Sequence, residues 1–284
     1  MLRPNNLLFL SVSSVFVWIL ASGSAASADE KRAASANVQV IAHRGASAYA
    51  PENTLASFKA AGRMGADLIE LDIRQTKDHQ LVVVHDPTLA RTTDVEERFP
   101  KLKPWRVRDL TLAQIKGLDA GSWFGPGFED ERVPTLTEAL RTIKATGAGA
   151  LVELKSPEQY PGLTDRFVSR VKADPYWAGS AHLTVQSYSW RSVKAVGKAL
   201  PRIRSAVLGQ PDETELFGLL GYADVVHPAK RFATPEYIRS VHQRWLGLYV
   251  HVVDDPETML RMIGAGVDGI TTDRPDVLRE LLRD

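Results

Sequence analysis

Cysteine is absent from the 284 residues, which excludes a disulfide framework and a lipidated N-terminal cysteine. Net charge is nearly absent as well. Arg3 is the only charged residue before Asp29, and setting it aside leaves the 35 basic residues at 34, against 34 acidic ones. A nucleic-acid binder carries a basic excess, so nucleic acid is not an expected partner. There is also no apolar run of the roughly 18 residues a spanning helix needs. The longest, Leu7 to Ala21, follows the positive start Met1-Leu2-Arg3 and precedes the small-residue site Ala26-Ser27-Ala28. That pattern predicts a cleaved secretory signal over residues 1–28, a secreted or extracytoplasmic protein, and no stable membrane span after cleavage. Residues 29–37 are polar and rich in alanine and serine, and read as a flexible lead-in.

What remains is close to the ~250 residues of a single (β/α)8 barrel. From Val38, eight β-rich runs alternate with helical periodicity: Val38–His43, Leu68–Ile73, Ala150–Leu154, Leu183–Ser187, Ile203–Leu208, Asp224–His227, Leu248–Val253 and Gly269–Thr272. Helical patterns lie at Leu55–Met64, Leu136–Lys144, Arg191–Leu200, Pro235–Arg244, Thr258–Ile263 and Val277–Leu282. No glycine-rich phosphate loop follows any run, which disfavours an open doubly wound sheet. The expected class is α/β, a TIM barrel occupying residues 38–284.

A ninth run, Leu81–His85, breaks the alternation. Only Thr76 to Gln80 separates it from the second strand, too little for a parallel crossover, so it should return as a hairpin. A two-residue turn at Asp78-His79 places Asp72 opposite His85. The following excursion, residues 86–133, is the expected insertion, with a helix over Thr111–Gly117 and an aromatic tail reaching Phe128. Its length suits a wall or lid, and it is too small for a core of its own.

Glu70 and Asp72 stand two apart on a strand, so their carboxylates share one face at a spacing of about 6.6 Å. Burying two acids without a cation is costly. Glu153, at the end of the third barrel strand, completes a hard oxygen donor set for Ca2+ or Mg2+. His43 ends the first strand, and the hairpin brings His85 to the same rim. Two imidazoles can supply one proton donor and one acceptor near neutral pH. Arg44 and Lys155 add fixed positive charge suited to a phosphoryl group. The constellation points to acid–base hydrolysis of a small phosphodiester.

The ordered set His43-Arg44-Gly45, Pro51-Glu52-Asn53-Thr54, Glu70-Leu71-Asp72, His85-Asp86, Leu118 to Gly125, Pro134-Thr135-Leu136, Glu153-Leu154-Lys155, Gln186-Ser187 and Gly266 to Asp273 resembles the glycerophosphodiester phosphodiesterase family. The resemblance runs from about Ile41 to Pro275. It implies a (β/α)8 barrel, one Ca2+ or Mg2+ ion on Glu70, Asp72 and Glu153, and histidine acid–base catalysis at His43 and His85. It also implies phosphate contacts from Arg44 and Lys155, and supporting or pocket positions for Glu52, Gln186 and Trp123. In such enzymes a substrate hydroxyl attacks phosphorus, and water then opens the cyclic phosphate. The implied substrates are deacylated phospholipids such as glycerophosphocholine and glycerophosphoethanolamine, giving sn-glycerol 3-phosphate and an alcohol. The resemblance leaves open which histidine is acid and which base; the working assignment is His43 as acid and His85 as base.

One departure stands out. The family commonly has Trp-Thr-Val-Asn near the end of the seventh strand, where this chain has His251-Val252-Val253-Asp254, which puts His251 near the pocket mouth without the usual aromatic wall and leaves head-group preference open. Two rival readings are a phospholipase acting on lysophospholipid or sphingolipid and a non-catalytic phosphate- or lipid-binding barrel. The second should have lost one of His43, Glu70, Asp72, His85 or Glu153, and all five are present. His79, His182, His227 and His242 are read as structural, and Trp105, Trp177, Trp190 and Trp245 as packing residues.

Overall fold

The computed structural model describes residues 38–179 and 182–283, so the expected signal and lead-in lie outside the described residues. Eight parallel strands close on themselves. They are β1 (Gln39–Ala42), β2 (Leu68–Gln75), β4 (Gly149–Leu154), β5 (Leu183–Ser187), β6 (Arg204–Leu208), β7 (Val225–His227), β8 (Gly247–Val250) and β9 (Gly269–Thr272). β1 pairs with β2 through Ile41↔Leu68 and with β9 through Ile41↔Thr271, which completes the ring. The expected TIM barrel is therefore present. Among the described residues no helix is long and apolar enough to cross a membrane.

Strand parity sets the layers. On β2, Ile69, Leu71 and Ile73 point outward and are fully buried with the helices, including Phe58 and Ile143. The other parity points inward, where Ile41, Leu68, Leu151, Ala206, Val225 and Tyr249 form a small apolar plug. The plug leaves little room: a Cβ on Gly269 would stand 2.6 Å from Tyr249 Cδ1. Two residues beyond each plug position the same parity delivers a different chemistry: His43, Glu70, Glu153, Leu208, His227 and His251 line one cavity at the C-terminal end of the strands.

The helices begin where side chains satisfy their free N–H groups. Thr54 with Ser57, Thr111 with Gln114, and Thr135 with Glu138 are reciprocal capping boxes opening the helices Leu55–Arg63, Leu112–Lys116 and Leu136–Thr146. The crossovers after β4 and β6 contain Leu163–Lys172 and Glu213–Leu219. Their amphipathic patterns are short and charge-rich, so periodicity alone does not mark them as helices.

β3 (Leu81–Val83) returns antiparallel to β2, as expected, but the register is one residue away from the expected one. Ile73 faces Val83 and Gln75 faces Leu81, so Asp72 lies opposite Val84 rather than His85. The loop holds three residues, Lys77, Asp78 and His79: Thr76 N–H donates to Gln80 O at 2.9 Å, and His79 takes a left-handed φ of 62°. His85 reaches the cavity because the strand has already ended at Val83. The buried Arg74 then clamps the His85 carbonyl, donating from Nε at 2.9 Å and Nη2 at 2.6 Å.

The excursion is also better built than expected. Leu89, Val95, Val107, Leu110, Ile115 and Leu118 are fully buried and cluster with Val82 and Val84 of the hairpin. A segment too short to enclose a core alone obtains one by borrowing the outer face of β3.

Candidate active site

The cavity at the barrel mouth has a volume of about 200 Å³. On one wall, Glu70, Asp72 and Glu153 are buried and offer oxygens that all lie within 4.8 Å of one another. Their positions follow from two local devices. Arg44 and Gly45 take left-handed φ values of 55° and 85°, turning the chain after β1 so that Arg44 N–H donates to Glu70 Oε2 at 2.8 Å. Gly45 has no room for a side chain, since a Cβ would meet Ser57 Oγ at 2.4 Å. Asn53, also left-handed at 58°, holds Asp72 from both ends. Its Nδ2 donates to Oδ2 at 2.9 Å, and its Oδ1 accepts from Asp72 N–H at 3.2 Å.

Two cations face this cluster. Lys155 Nζ lies 2.7 Å from Glu153 and 3.5 Å from Asp72, while Arg44 Nε lies 3.5 Å from Asp72. They do not balance three acids. Burial pushes Asp72 up, but Lys155, Arg44 and His85 outweigh it and hold this carboxyl below its usual range. Burial, with Asp72 and Glu153 beside it, drives Glu70 well above the ordinary carboxyl value. Burial and Asp72 push Glu153 up to about 7. A set of buried oxygen donors with uncompensated negative charge fits a hard divalent cation.

Both expected histidines border the cavity, each tied through Nδ1 to a carboxylate. His43 Nδ1 is 2.7 Å from Asp273 Oδ1, and Ser47 Oγ lies 2.7 Å from the same oxygen. Asp273 is held in turn by Asp254, whose Oδ1 accepts the Asp273 N–H at 2.8 Å. His85 Nδ1 is 2.7 Å from Asp86 Oδ1. Such ties leave Nε2 of each ring for proton transfer. Burial raises Asp273, but hydrogen bonding to His43 overrides it and keeps the carboxyl low; in Asp86 the bonds from Arg91 and His85 outweigh burial and bring it to about 2. His85 itself lies below the usual imidazole range. Burial is the main cause, and Arg44 and Lys155 add to it against the opposing pull of Asp72.

The opposite wall is formed by Gln186, His227, Thr271 and His251. His227, read from sequence as a structural strand end, is a buried cavity residue. Its Nδ1 is 2.7 Å from Gln186 Oε1, its Nε2 3.1 Å from Thr271 Oγ1, and its ring stands edge-on to His251 at 4.8 Å. Its position two residues beyond Val225 was the available signal. Burial, followed by His43, Lys155 and Arg231, holds His251 at about 4.

Glu52 joins the site indirectly, accepting from Arg44 Nη1 at 2.9 Å. Trp123 does not line the cavity. It is 42% exposed, and its indole N–H donates to the Ala120 carbonyl of its own loop. Trp245, expected to pack, is 96% exposed in a turn with φ 60°. Asn53, Asp86, Arg91 and Asp273 were not assigned roles from sequence, because each acts on another side chain rather than on the cavity directly.

Residues 43–277 match the model of the glycerophosphoryl diester phosphodiesterase family. A glycerophosphodiester phosphodiesterase from Caldanaerobacter subterraneus subsp. tengcongensis is 39% identical over 86% of this chain and 97% of its own length. One from Bacillus subtilis is 32% identical, covering 86% of each chain. An Oleispira antarctica phosphodiesterase, solved in complex with the product sn-glycerol-3-phosphate, superposes with a TM-score of 0.74 at 29% identity, covering 87% of this chain and 97% of its own. Closed barrel, acidic cluster, paired histidines and matched sequence agree, and the chain belongs to the glycerophosphoryl diester phosphodiesterase family.

Proposed function

We propose that this protein hydrolyses glycerophosphodiesters such as glycerophosphocholine and glycerophosphoethanolamine to sn-glycerol 3-phosphate and an alcohol. The observation that carries the reading is the convergence of two carboxylate-tied histidines and a buried acidic triad on one small cavity. Glu70, Asp72 and Glu153 would hold one divalent cation, Ca2+ or Mg2+. Bound there, it supplies Lewis-acid polarisation of a phosphoryl oxygen.

The chain's own groups perform the rest. Arg44 and Lys155 place positive charge along the cavity wall and orient the phosphodiester anion. His85 is poised as the base: held below the usual imidazole range, it is neutral at pH 7 and can take the proton of the glycerol 2-hydroxyl. That oxygen bonds to phosphorus and the P–O bond to the alcohol breaks, leaving a cyclic glycerophosphate. His43 gives its Nε2 proton to the departing alkoxide, while Asp273 on Nδ1 holds the ring in place for that transfer. In the second half the roles reverse: His43 takes a proton from water as its oxygen bonds to phosphorus, and His85 returns one to the 2-oxygen as the ring opens.

The modest cavity, with Leu208 and Val252 among few apolar lining residues, supports a deacylated substrate over one carrying an acyl chain. The test is a panel of water-soluble glycerophosphodiesters and intact lysophospholipids, each run with Ca2+ and Mg2+ and assayed for sn-glycerol 3-phosphate. Turnover confined to the lysophospholipids would replace this reading with a phospholipase one. The leader over Leu7–Ala21 supports export with cleavage after Ala28. N-terminal sequencing of the exported protein should begin at Asp29, and a retained leader would contradict this.

A further inference from the structure

We propose that Arg91, from the insertion, is a positioning residue that sets the orientation of both His85 and Arg44 from outside the cavity. The role rests on the reading of His85 as the base.

Arg91 does not line the cavity. Its Nη1 and Nη2 donate to Glu52 Oε2 and Oε1 at 2.7 and 2.8 Å, and its Nε donates to Asp86 Oδ2 at 2.7 Å. Each acceptor spends another oxygen contact on a site residue: Asp86 Oδ1 on His85 Nδ1 at 2.7 Å, and Glu52 Oε1 on Arg44 Nη1 at 2.9 Å. One guanidinium thus closes a continuous chain, His85–Asp86–Arg91–Glu52–Arg44, and Arg44 continues it through its N–H to Glu70.

An isolated surface ion pair is worth little because two long side chains must be ordered in water. Here the side chain is half-exposed, but its backbone is already fixed. Leu89 is fully buried, its N–H donates to Trp105 O at 3.0 Å, and Thr93 Oγ1 donates back to Leu89 O at 2.7 Å. The three donors form a planar fork that a lysine cannot reproduce. Without the fork, Asp86 keeps only His85 among these partners and can rotate, and imidazole orientation is lost with it. The insertion contributes no residue to the cavity lining, contrary to the wall or lid expected of it, and acts instead by carrying the clamp that locks the base.

The test compares kcat and KM of Arg91→Ala, Arg91→Lys, His85→Ala and the double variant Arg91→Ala/His85→Ala, with folding followed by thermal melts. Arg91→Ala should melt near wild type and lose kcat about ten- to a hundredfold, the range typical of lost orienting partners. Arg91→Lys, which keeps the charge but not the fork, should still fall several-fold short. Added guanidinium should restore part of the Arg91→Ala rate. In the His85→Ala background, removal of Arg91 should cost clearly less than in wild type, leaving only the share that runs through Glu52 and Arg44. A wild-type kcat in Arg91→Lys would overturn the positioning role, and an equal loss with and without His85 would overturn the claim that Arg91 acts on the base. An active His85→Ala variant would instead remove the acid–base reading and this role with it.

Discussion

His43 Nδ1 and Asp273 Oδ1 lie 2.7 Å apart although 230 positions separate them in the chain. The contact exists because β9 pairs with β1 to close the barrel, so the last strand delivers its carboxylate to the histidine at the end of the first. Asp273→Asn keeps the shape but replaces the carboxylate that holds His43 through Nδ1. Its kcat should fall about a hundredfold or more, the sense and scale seen when the acid behind a catalytic histidine is amidated, with little change in melting temperature. A kcat within a few-fold of wild type would show that Asp273 only packs there.

The acidic triad sets a second expectation. Burial and mutual repulsion hold Glu70 and Glu153 above their ordinary values, so a bound divalent ion should relieve the crowding and stabilise the fold. Adding Ca2+ or Mg2+ to chelated protein should raise its melting temperature and restore turnover. Asp72→Asn should abolish both responses. Full activity in excess chelator would count against the cation assignment.

His251 makes stability depend on pH with a definite sign. Its folded value is about 4 against 6.5 in the unfolded chain, so between these limits the unfolded state binds the extra proton. Stability therefore falls as pH drops through 6.5, and the loss is complete near 4, on the order of 3 kcal/mol from this group. In cation-free protein Glu153 acts oppositely, gaining its proton in the folded state first, near 7. Comparison with His251→Gln isolates the histidine: between pH 7.5 and 5 the variant should lose less stability than wild type. Equal losses would contradict the assignment.

Backbone strain can be tested at two glycines. Gly45→Ala meets both a left-handed φ of 85° and a contact of 2.4 Å with Ser57 Oγ, and should cost about 2 kcal/mol or more by urea unfolding. Gly264 sits in the helix Pro256–Ala265 with nothing near its added Cβ. Gly264→Ala should be neutral or stabilising by up to about 1 kcal/mol. Similar costs at both sites would refute the steric argument.

Much of this architecture is legible from strand parity. The eight β-rich runs coincide with the barrel strands, and the two-residue spacing of Glu70 and Asp72 does place them inside. What escapes the sequence is whatever depends on closure or on one residue of loop length. Asp273 pairs with His43 only once the ring is shut. The hairpin register turns on whether the loop holds two residues or three, and His79 in a left-handed conformation made it three. His227 could have been found by parity, since it follows the plug residue Val225 as His43 follows Ile41. Trp245 could not, because an indole's size says nothing about which side of a turn it takes.

The most direct measurement is the rate of sn-glycerol 3-phosphate release from glycerophosphocholine by His43→Ala and by His85→Ala, with saturating cation and matched melting temperatures. General acid–base roles predict that each variant folds and loses about 10²-fold or more in kcat. A rate near wild type in either variant would contradict proton transfer by that histidine.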